Sequence, residues 1–504
     1  MDQTPPRPSA RPLTIVVLGA SGDLAQKKIF PALFALYGQQ HLPADCRFIG
    51  YARTEMDDQA FRERIAGNLT CRYIPAESCG SWTARFLARC FYVAGRYDAT
   101  EPFRQLGRRL AEIEDGRPSD RLFYFALPPA VFPAAAAALG AAGLAAESET
   151  PAAPWVRVVL EKPFGRDRAS SDALTERIHE VFHSRQIYRI DHYLGKTVIQ
   201  NLMVLRFANL VFEPIWNRDH VAHVRIVWKE DIGIGGRAGY FDDYGILRDV
   251  LQNHLLQMLA LVAMEPPVRI EAPFVIEEKV KVLRSVLPIR PEDAVFGQYQ
   301  GRTVGHTRLP AYREESGVPP DSRTPTFAAA VLNIRNRRWD GVPFFLSAGK
   351  ALDGRAAEIR VRFKQVPGGL FCVERNCLPP NELVIRVQPD EAILLNVVTM
   401  APGLSVKLAP AQLDLRYAQA FDAQIPDAYE CLLLEVLKGD KSLFISAAEL
   451  AASWDIVTPL LAETDQRRLE PEPYAFGSRG PSGAARLAAR FGLAEDGDES
   501  RPVP

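Results

Sequence analysis

The run Thr14-Ile15-Val16-Val17-Leu18-Gly19 most constrains the fold of this chain. It is apolar without alternation, the pattern of a strand buried on both faces. Gly19-Ala20-Ser21-Gly22 follows, and residues 24–37 read as a helix. Further strand-like runs at residues 46–53, 121–127 and 155–161 are separated by helical stretches, including the alanine-rich 134–146. Strands alternating with helices predict an α/β domain built on a doubly wound parallel sheet.

The pattern changes near residue 200. Residues 223–229, 327–335, 358–364 and 383–388 read as strands with more alternation, and residues 242–264 as a helix. Antiparallel pairing and an α+β second domain are expected there. Residues 301–324 are rich in Gly, Pro and Arg and read as a loop. The proline-rich start, residues 1–12, and the acidic end, residues 493–504, read as a disordered arm and tail. The expected division is therefore 13–198 and 199–492. A chain of 504 residues suits two large domains or three of roughly 150 residues each.

Composition excludes several classes. Lys plus Arg number 60 and Asp plus Glu 61, so bulk charge favours neither nucleic acid nor membrane. No apolar run approaches the roughly 20 residues of a membrane span, and the start has no signal-peptide core. Cys46, Cys71, Cys79, Cys90, Cys372, Cys377 and Cys431 are odd in number and scattered. Cys372 and Cys377 lack a second pair, so free thiols in a reducing cytoplasm are expected, with no metal. His41, His179, His183, His220, His223 and His306 likewise show no ligand spacing.

Three clusters carry chemistry. Gly19-x-x-Gly22 at a helix start lets backbone approach a pyrophosphate and offers free N–H donors, although tight turns use glycines too. Arg53 ends the second strand, where an acidic residue would hold an NAD ribose; arginine suits the 2′-phosphate of NADP, and Thr54 could add a hydroxyl. Glu161-Lys162-Pro163-Phe164-Gly165 closes another strand, aiming Lys162 at the ligand crevice. Behind the short strand-like run 186–190, Arg189-Ile190-Asp191-His192-Tyr193-Leu194-Gly195-Lys196 gathers an acid, an imidazole, a phenol and an ammonium. A site that holds an anion and orients a proton carrier needs that mixture. In the segment 242–257, His254 lies beside an apolar helical stripe, and taken by itself it reads better as a buried, hydrogen-bonded structural histidine. Asp249 precedes it by five residues, about 140° round an ideal α-helix, so the two do not share a face.

Together with Gly50-Tyr51-Ala52-Arg53, Arg248 to Gln257, Gly349 to Leu352, Arg386-Val387-Gln388-Pro389, Asp427-Ala428-Tyr429-Glu430 and Gly477-Ser478-Arg479-Gly480-Pro481, these motifs resemble the glucose-6-phosphate dehydrogenase family. The resemblance spans nearly the whole chain. It implies a Rossmann-like NADP-binding domain and a C-terminal α+β domain with a large, mainly antiparallel sheet. The implied activity is oxidation of glucose 6-phosphate to a 6-phospho-lactone by NADP, or also by NAD. By motif, His254 resembles the general base and Asp191 the acid that orients it. Lys162, His192, Tyr193, Lys196, Glu230, Asp249, Lys350, Arg355 and Gln388 resemble substrate contacts. Gly19, Ser21, Gly22, Asp23, Leu24, Lys28, Arg53, Tyr97, Tyr124 and Lys162 resemble cofactor contacts. The resemblance also implies a cytoplasmic homodimer or homotetramer. No tryptophan follows Trp454, unlike the tail that holds a second, structural NADP in animal members, so a bacterial-type member is expected. The competing readings are another Rossmann-type sugar oxidoreductase and a noncatalytic NADPH-binding relative.

Overall fold

A computed structural model describes residues 11–146, 150, 153–368, 371, 378–421 and 424–493. The expected arm and tail fall almost wholly outside these residues. Arg11, within the expected arm, is nevertheless anchored by Asp120 at 3.2 Å and the carbonyl of Ala153 at 2.8 Å. The chain forms two compact units. The first holds residues 11–196, 270–273 and 426–450, and the second 197–269, 274–425 and 451–493. No described helix is long and apolar enough to cross a membrane.

The first unit is a six-stranded parallel sheet: β1 (Leu13–Leu18), β2 (Cys46–Ala52), β3 (Cys90–Ala94), β4 (Asp120–Phe125), β5 (Val156–Leu160) and β6 (Ile187–Arg189). Its order is β3-β2-β1-β4-β5-β6. Every residue of β1 is buried, as its unbroken apolar run requires. The sequence reading omitted β3, a half-exposed edge strand of five residues and so only a weak pattern. The first helix opens with a π-helical turn, Ala25–Ile29, before the α-helix Phe30–Gly38.

The segment 426–450 corrects the expected division, which left it in the second domain. Its helix Ala428–Lys438 is N-capped by Asp427 and stops at Gly439, whose φ of 85° is left-handed. Arg157 donates to the carbonyls of Val436 at 2.6 Å and Leu437 at 2.9 Å, satisfying the helix end. The amide of Ile445 donates to the carbonyl of Arg189, just beyond the helix, at 3.1 Å. These partners lie far away in sequence and leave no local signal. The expectation of free thiols is also corrected: Cys71 and Cys79 form a disulfide, with Cα atoms 5.8 Å apart. Cys46 and Cys90 are free thiols, while Cys372 and Cys377 lie outside the described residues.

The second unit contains β7 (Val221–Lys229), β8 (Ala294–Gln300), β9 (Arg302–Val304), β10 (Thr307–Leu309), β11 (Phe327–Asn333), β12 (Pro343–Gly349), β13 (Ala356–Phe363), β14 (Glu382–Gln388), β15 (Ala392–Met400), β16 (Leu408–Arg416) and β17 (Glu472–Ala475). Nine of them make one sheet in the order β16-β15-β14-β13-β7-β12-β11-β8-β17. Pairing is antiparallel except between β7 and β12 and between β8 and β17. This matches the expected mainly antiparallel sheet. The region read as a loop carries the hairpin β9–β10, turned at Gly305 with φ 61°. The expected helix 242–264 is three pieces. Ala238–Ile246 breaks at Gly245 (φ 65°, ψ 170°), Leu247–Leu255 is π-helical, and Leu256–Ala263 is α-helical.

Gly195 tests the docking of the returning helix. A Cβ there would lie 2.4 Å from the carbonyl oxygen of Ala428. Gly195→Ala is expected to cost about 1–3 kcal/mol through overpacking, read as a lower denaturant midpoint with unchanged slope.

Candidate active site

In a parallel sheet the carboxyl ends of all strands share one edge, and here the order reverses between β1 and β4. Gly19 follows β1 at φ +85°, and an added Cβ would sit 2.1 Å from the carbonyl oxygen of Ala126. Only glycine fits that approach. The Gly22 amide closes the turn on the Gly19 carbonyl at 2.9 Å. The carbonyl of Ser21 accepts from Gln26 at 2.7 Å and Arg64 at 3.1 Å, and its hydroxyl meets that of Thr54 at 3.3 Å. Gly22 and Asp23 are exposed, Leu24 is half-buried, and Asp23 pairs with Lys27 at 2.9 Å. Lys28 pairs with Asp427 at 3.2 Å. Arg53 is exposed and lies 5.8 Å over the ring of buried Tyr97. The turn, Arg53 and Tyr97 thus form one surface fit for a phosphorylated nucleotide. Arg64 reaches that surface from the helix Asp58–Ala66 and was missed, since nothing in its sequence neighbourhood marks it.

Beyond β5, Glu161 is 7% exposed and accepts from the hydroxyl of Tyr124 at 2.5 Å and from that of Tyr429. Burial raises the Glu161 carboxyl above its usual range; the two phenols and the Lys162 charge pull it down, and the Asp191 charge pushes it up. Tyr124 is fully buried, and its hydroxyl donates to Glu161. Lys162 is half-buried at the same sheet edge.

Beyond β6 the chain turns tightly. Asp191, 1% exposed, accepts from the Tyr193 amide at 2.9 Å, and the Lys196 amide donates to the Tyr193 carbonyl at 3.1 Å. The half-buried His192 ring lies parallel to that of Tyr429, 6.2 Å between centroids and 5° between planes. Lys196 Nζ sits 5.6 Å from the Tyr193 ring centroid. The turn therefore gathers Asp191, His192, Tyr193 and Lys196, as expected, while Glu161 and Tyr429 emerge only in three dimensions.

In the second unit, strand register draws four expected residues to one sheet edge. Lys229 lies opposite both Gly349 and Ala356, and Gln388 opposite Ala357. Glu230, Lys350, Arg355 and Gln388 all sit at these strand ends. Lys350 is 4% exposed, pairs with Glu230 at 2.6 Å, and lies 5.3 Å from the Trp228 ring and 5.5 Å from that of Phe241. Arg355 is exposed and Gln388 half-buried.

The π-helical segment corrects the helical geometry expected for Asp249 and His254. A π-helix bonds each residue to the fifth one on, so these two stack one turn apart rather than on separate faces. His254 is 2% exposed, and its amide donates to the side chain of Asn253 at 2.7 Å. Tyr240 donates to Asp249 at 3.2 Å, and burial foremost, then the Asp249 charge, holds the Tyr240 hydroxyl far above its usual range.

The first unit has the architecture of a nucleotide-binding oxidoreductase domain, with ionisable groups gathered at its ligand edge. Residues 16–201 match the family model for the NAD binding domain of glucose-6-phosphate dehydrogenase, and residues 203–494 match its C-terminal domain. The chain belongs to the glucose-6-phosphate dehydrogenase family. It is 50% identical over 482 residues to the chloroplastic glucose-6-phosphate 1-dehydrogenase of Nicotiana tabacum, covering 95% of this chain and 80% of the relative. It is 47% identical over 487 residues to the cytoplasmic enzyme 6 of Arabidopsis thaliana, covering 95% and 91%. A solved glucose-6-phosphate dehydrogenase in complex with glucose 6-phosphate matches with a TM-score of 0.88 at 40% identity, covering 96% of this chain and 99% of that one. The enzyme from Mycobacterium avium matches at 0.82 and 32% identity, covering 98% and 99%. The relatives near half identity are plant enzymes, so they do not support the expected bacterial type.

The Glu230–Lys350 pair yields a stability prediction. Glu230→Gln strips the buried ammonium of its counter-charge and is expected to cost about 1–3 kcal/mol. Adding Lys350→Met should recover part of the loss, because no buried charge then remains. Denaturant midpoints of the single and double variants check both statements.

Proposed function

We propose that this protein oxidises D-glucose 6-phosphate at C1 to 6-phospho-D-glucono-1,5-lactone with hydride transfer to NADP, the entry to the oxidative pentose phosphate pathway. The observation that carries the reading is the turn after β6. It sets His192, Tyr193 and Lys196 beside Asp191 at the ligand edge of a dinucleotide sheet. Family membership at half identity over 95% of the chain names the sugar phosphate as the anion.

NADP, when bound, supplies the hydride acceptor. The Gly19 cradle that a Cβ would fill, and Arg53 over Tyr97, suit its diphosphate and 2′-phosphate, with Ser21, Gly22, Asp23, Leu24 and Lys28 along the turn. Lys162 serves both cofactor and substrate. His192, Tyr193 and Lys196 grip the sugar phosphate, and that remote binding energy positions C1. Glu230, Asp249, Lys350, Arg355 and Gln388 hold the sugar. His254 removes the C1 hydroxyl proton as hydride leaves C1, and Asp191 orients the imidazole and balances its charge. The same reading makes the protein a cytoplasmic homodimer or homotetramer, as in the cytoplasmic plant relatives for location. Exposed Leu413 and Leu415, two residues apart on one face of the outer strand β16, supply apolar surface for assembly.

NADPH formation followed at 340 nm with glucose 6-phosphate tests the assignment. His254→Ala should lower kcat on the order of 10²–10⁴-fold with a modest change in KM. Equal activity in the two proteins removes His254 from the mechanism. Arg53→Ala should raise KM for NADP by about tenfold or more while leaving KM for NAD little changed, since only NADP carries the 2′-phosphate. An equal rise for both cofactors would overturn that assignment.

A further inference from the structure

Asp427-Ala428-Tyr429-Glu430 takes no direct part in the chemistry above, yet it meets Lys28, Glu161 and His192 at the first unit's ligand edge. Asp427 caps the helix and pairs with Lys28. Tyr429 hydrogen-bonds Glu161 with its hydroxyl and lies parallel to His192 with its ring. Glu161 is the centre of this arrangement. Two phenol donors converge on it, Tyr124 from β4 and Tyr429 from the returning helix. Two donors match an ionised carboxylate, which only accepts. The charged groups that act on it are Lys162, its chain neighbour, and Asp191 on the turn after β6.

We propose that Tyr124 and Tyr429 are positioning residues that keep buried Glu161 ionised as the counter-ion of Lys162, while the Tyr429 ring fixes the plane of His192. The proposal rests on the functional reading above for the role of Lys162. Burial and Asp191 favour the neutral acid; the phenols and Lys162 favour the anion. Losing a phenol raises the carboxyl further, so the anion persists only at higher pH and is lost as pH falls through the raised value. Lys162 then loses the negative charge of its chain neighbour.

The test is the pH profile of kcat/KM for glucose 6-phosphate in wild type, Tyr429→Phe, Tyr124→Phe and Glu161→Gln. Each phenylalanine variant should shift the acid limb upward by about one pH unit or more, the tenfold change expected from losing a charge-assisted hydrogen bond. Glu161→Gln should be slow at every pH and lack that added ionisation. The two tyrosine variants act independently on one carboxylate, so either suffices if the other does not fold. A drop by the same factor at all pH values, or profiles that track wild type, overturns the proposal while leaving the functional reading intact. Infrared difference spectra provide a readout without turnover. A protonated carboxyl band should persist to higher pH in Tyr429→Phe than in wild type and vanish in Tyr429→Phe/Glu161→Gln. Its absence also overturns the proposal, whereas wild type that makes no NADPH overturns only the functional reading.

Discussion

The approach of Gly19 to the carbonyl of Ala126 governs the nucleotide end of the molecule. The two residues follow β1 and β4, the strands between which the sheet order reverses. A side chain at Gly19 would wedge these strand ends apart or push the turn outward. Without one, the first helix starts close to the sheet, and its free amides face the crevice. Ser21, Thr54 and Arg64 then knit the turn to the neighbouring strand and helix. The turn is thus built of backbone held at short range, with exposed Arg53 beside it.

The other end of the crevice depends on chain that returns from far away. The helix Ala428–Lys438 presses its first residues against Gly195 and places Tyr429 between Glu161 and His192. Glu430, on the same turn, accepts from Tyr73 at 2.7 Å and pairs with Arg72 at 3.2 Å, beside disulfide-bonded Cys71. Burial raises the Glu430 carboxyl, and its two partners oppose that. One helical turn therefore fastens the glycine-turn helix, the ligand edge and the disulfide loop to a common frame.

The parallel sheet was legible because β1 is an almost unbroken apolar run, and β2, β4 and β5 are largely apolar apart from Arg47, Asp120, Arg121 and Arg157 near their starts. The half-exposed β3, Cys90-Phe91-Tyr92-Val93-Ala94, is apolar but only five residues long, and the polar hairpin β9–β10 reads as loop. Residues of the site were legible where chemistry is crowded into a few positions, as in Arg189 to Lys196. Tyr429, Arg64 and the buried role of Tyr124 were not, because each depends on a partner distant in sequence. The geometry of Asp249 and His254 failed for a different reason. An α-helical period was assumed, and the segment after the break at Gly245 is wound as a π-helix. Such π-helical segments occur often at functional sites, where they re-aim side chains that an α-helix would splay.

Both units treat their buried charges alike. Lys350 is nearly enclosed, yet Glu230 and two aromatic faces meet it. Glu161 is enclosed and meets two phenols. Such pairs contribute little net stability, since desolvation offsets most of the attraction. Their worth lies in order. Groups already desolvated and aimed when the chain folds need not reorganise when substrate arrives, and fixed dipoles act more strongly in a dry site. Free lysines at the surface would bind an anion as well at low salt, but would hold its reacting carbon in no particular place. The cost of these enclosed charges is met during folding, so within each unit the groups are already fixed in place before any ligand arrives, the condition that proximity catalysis requires.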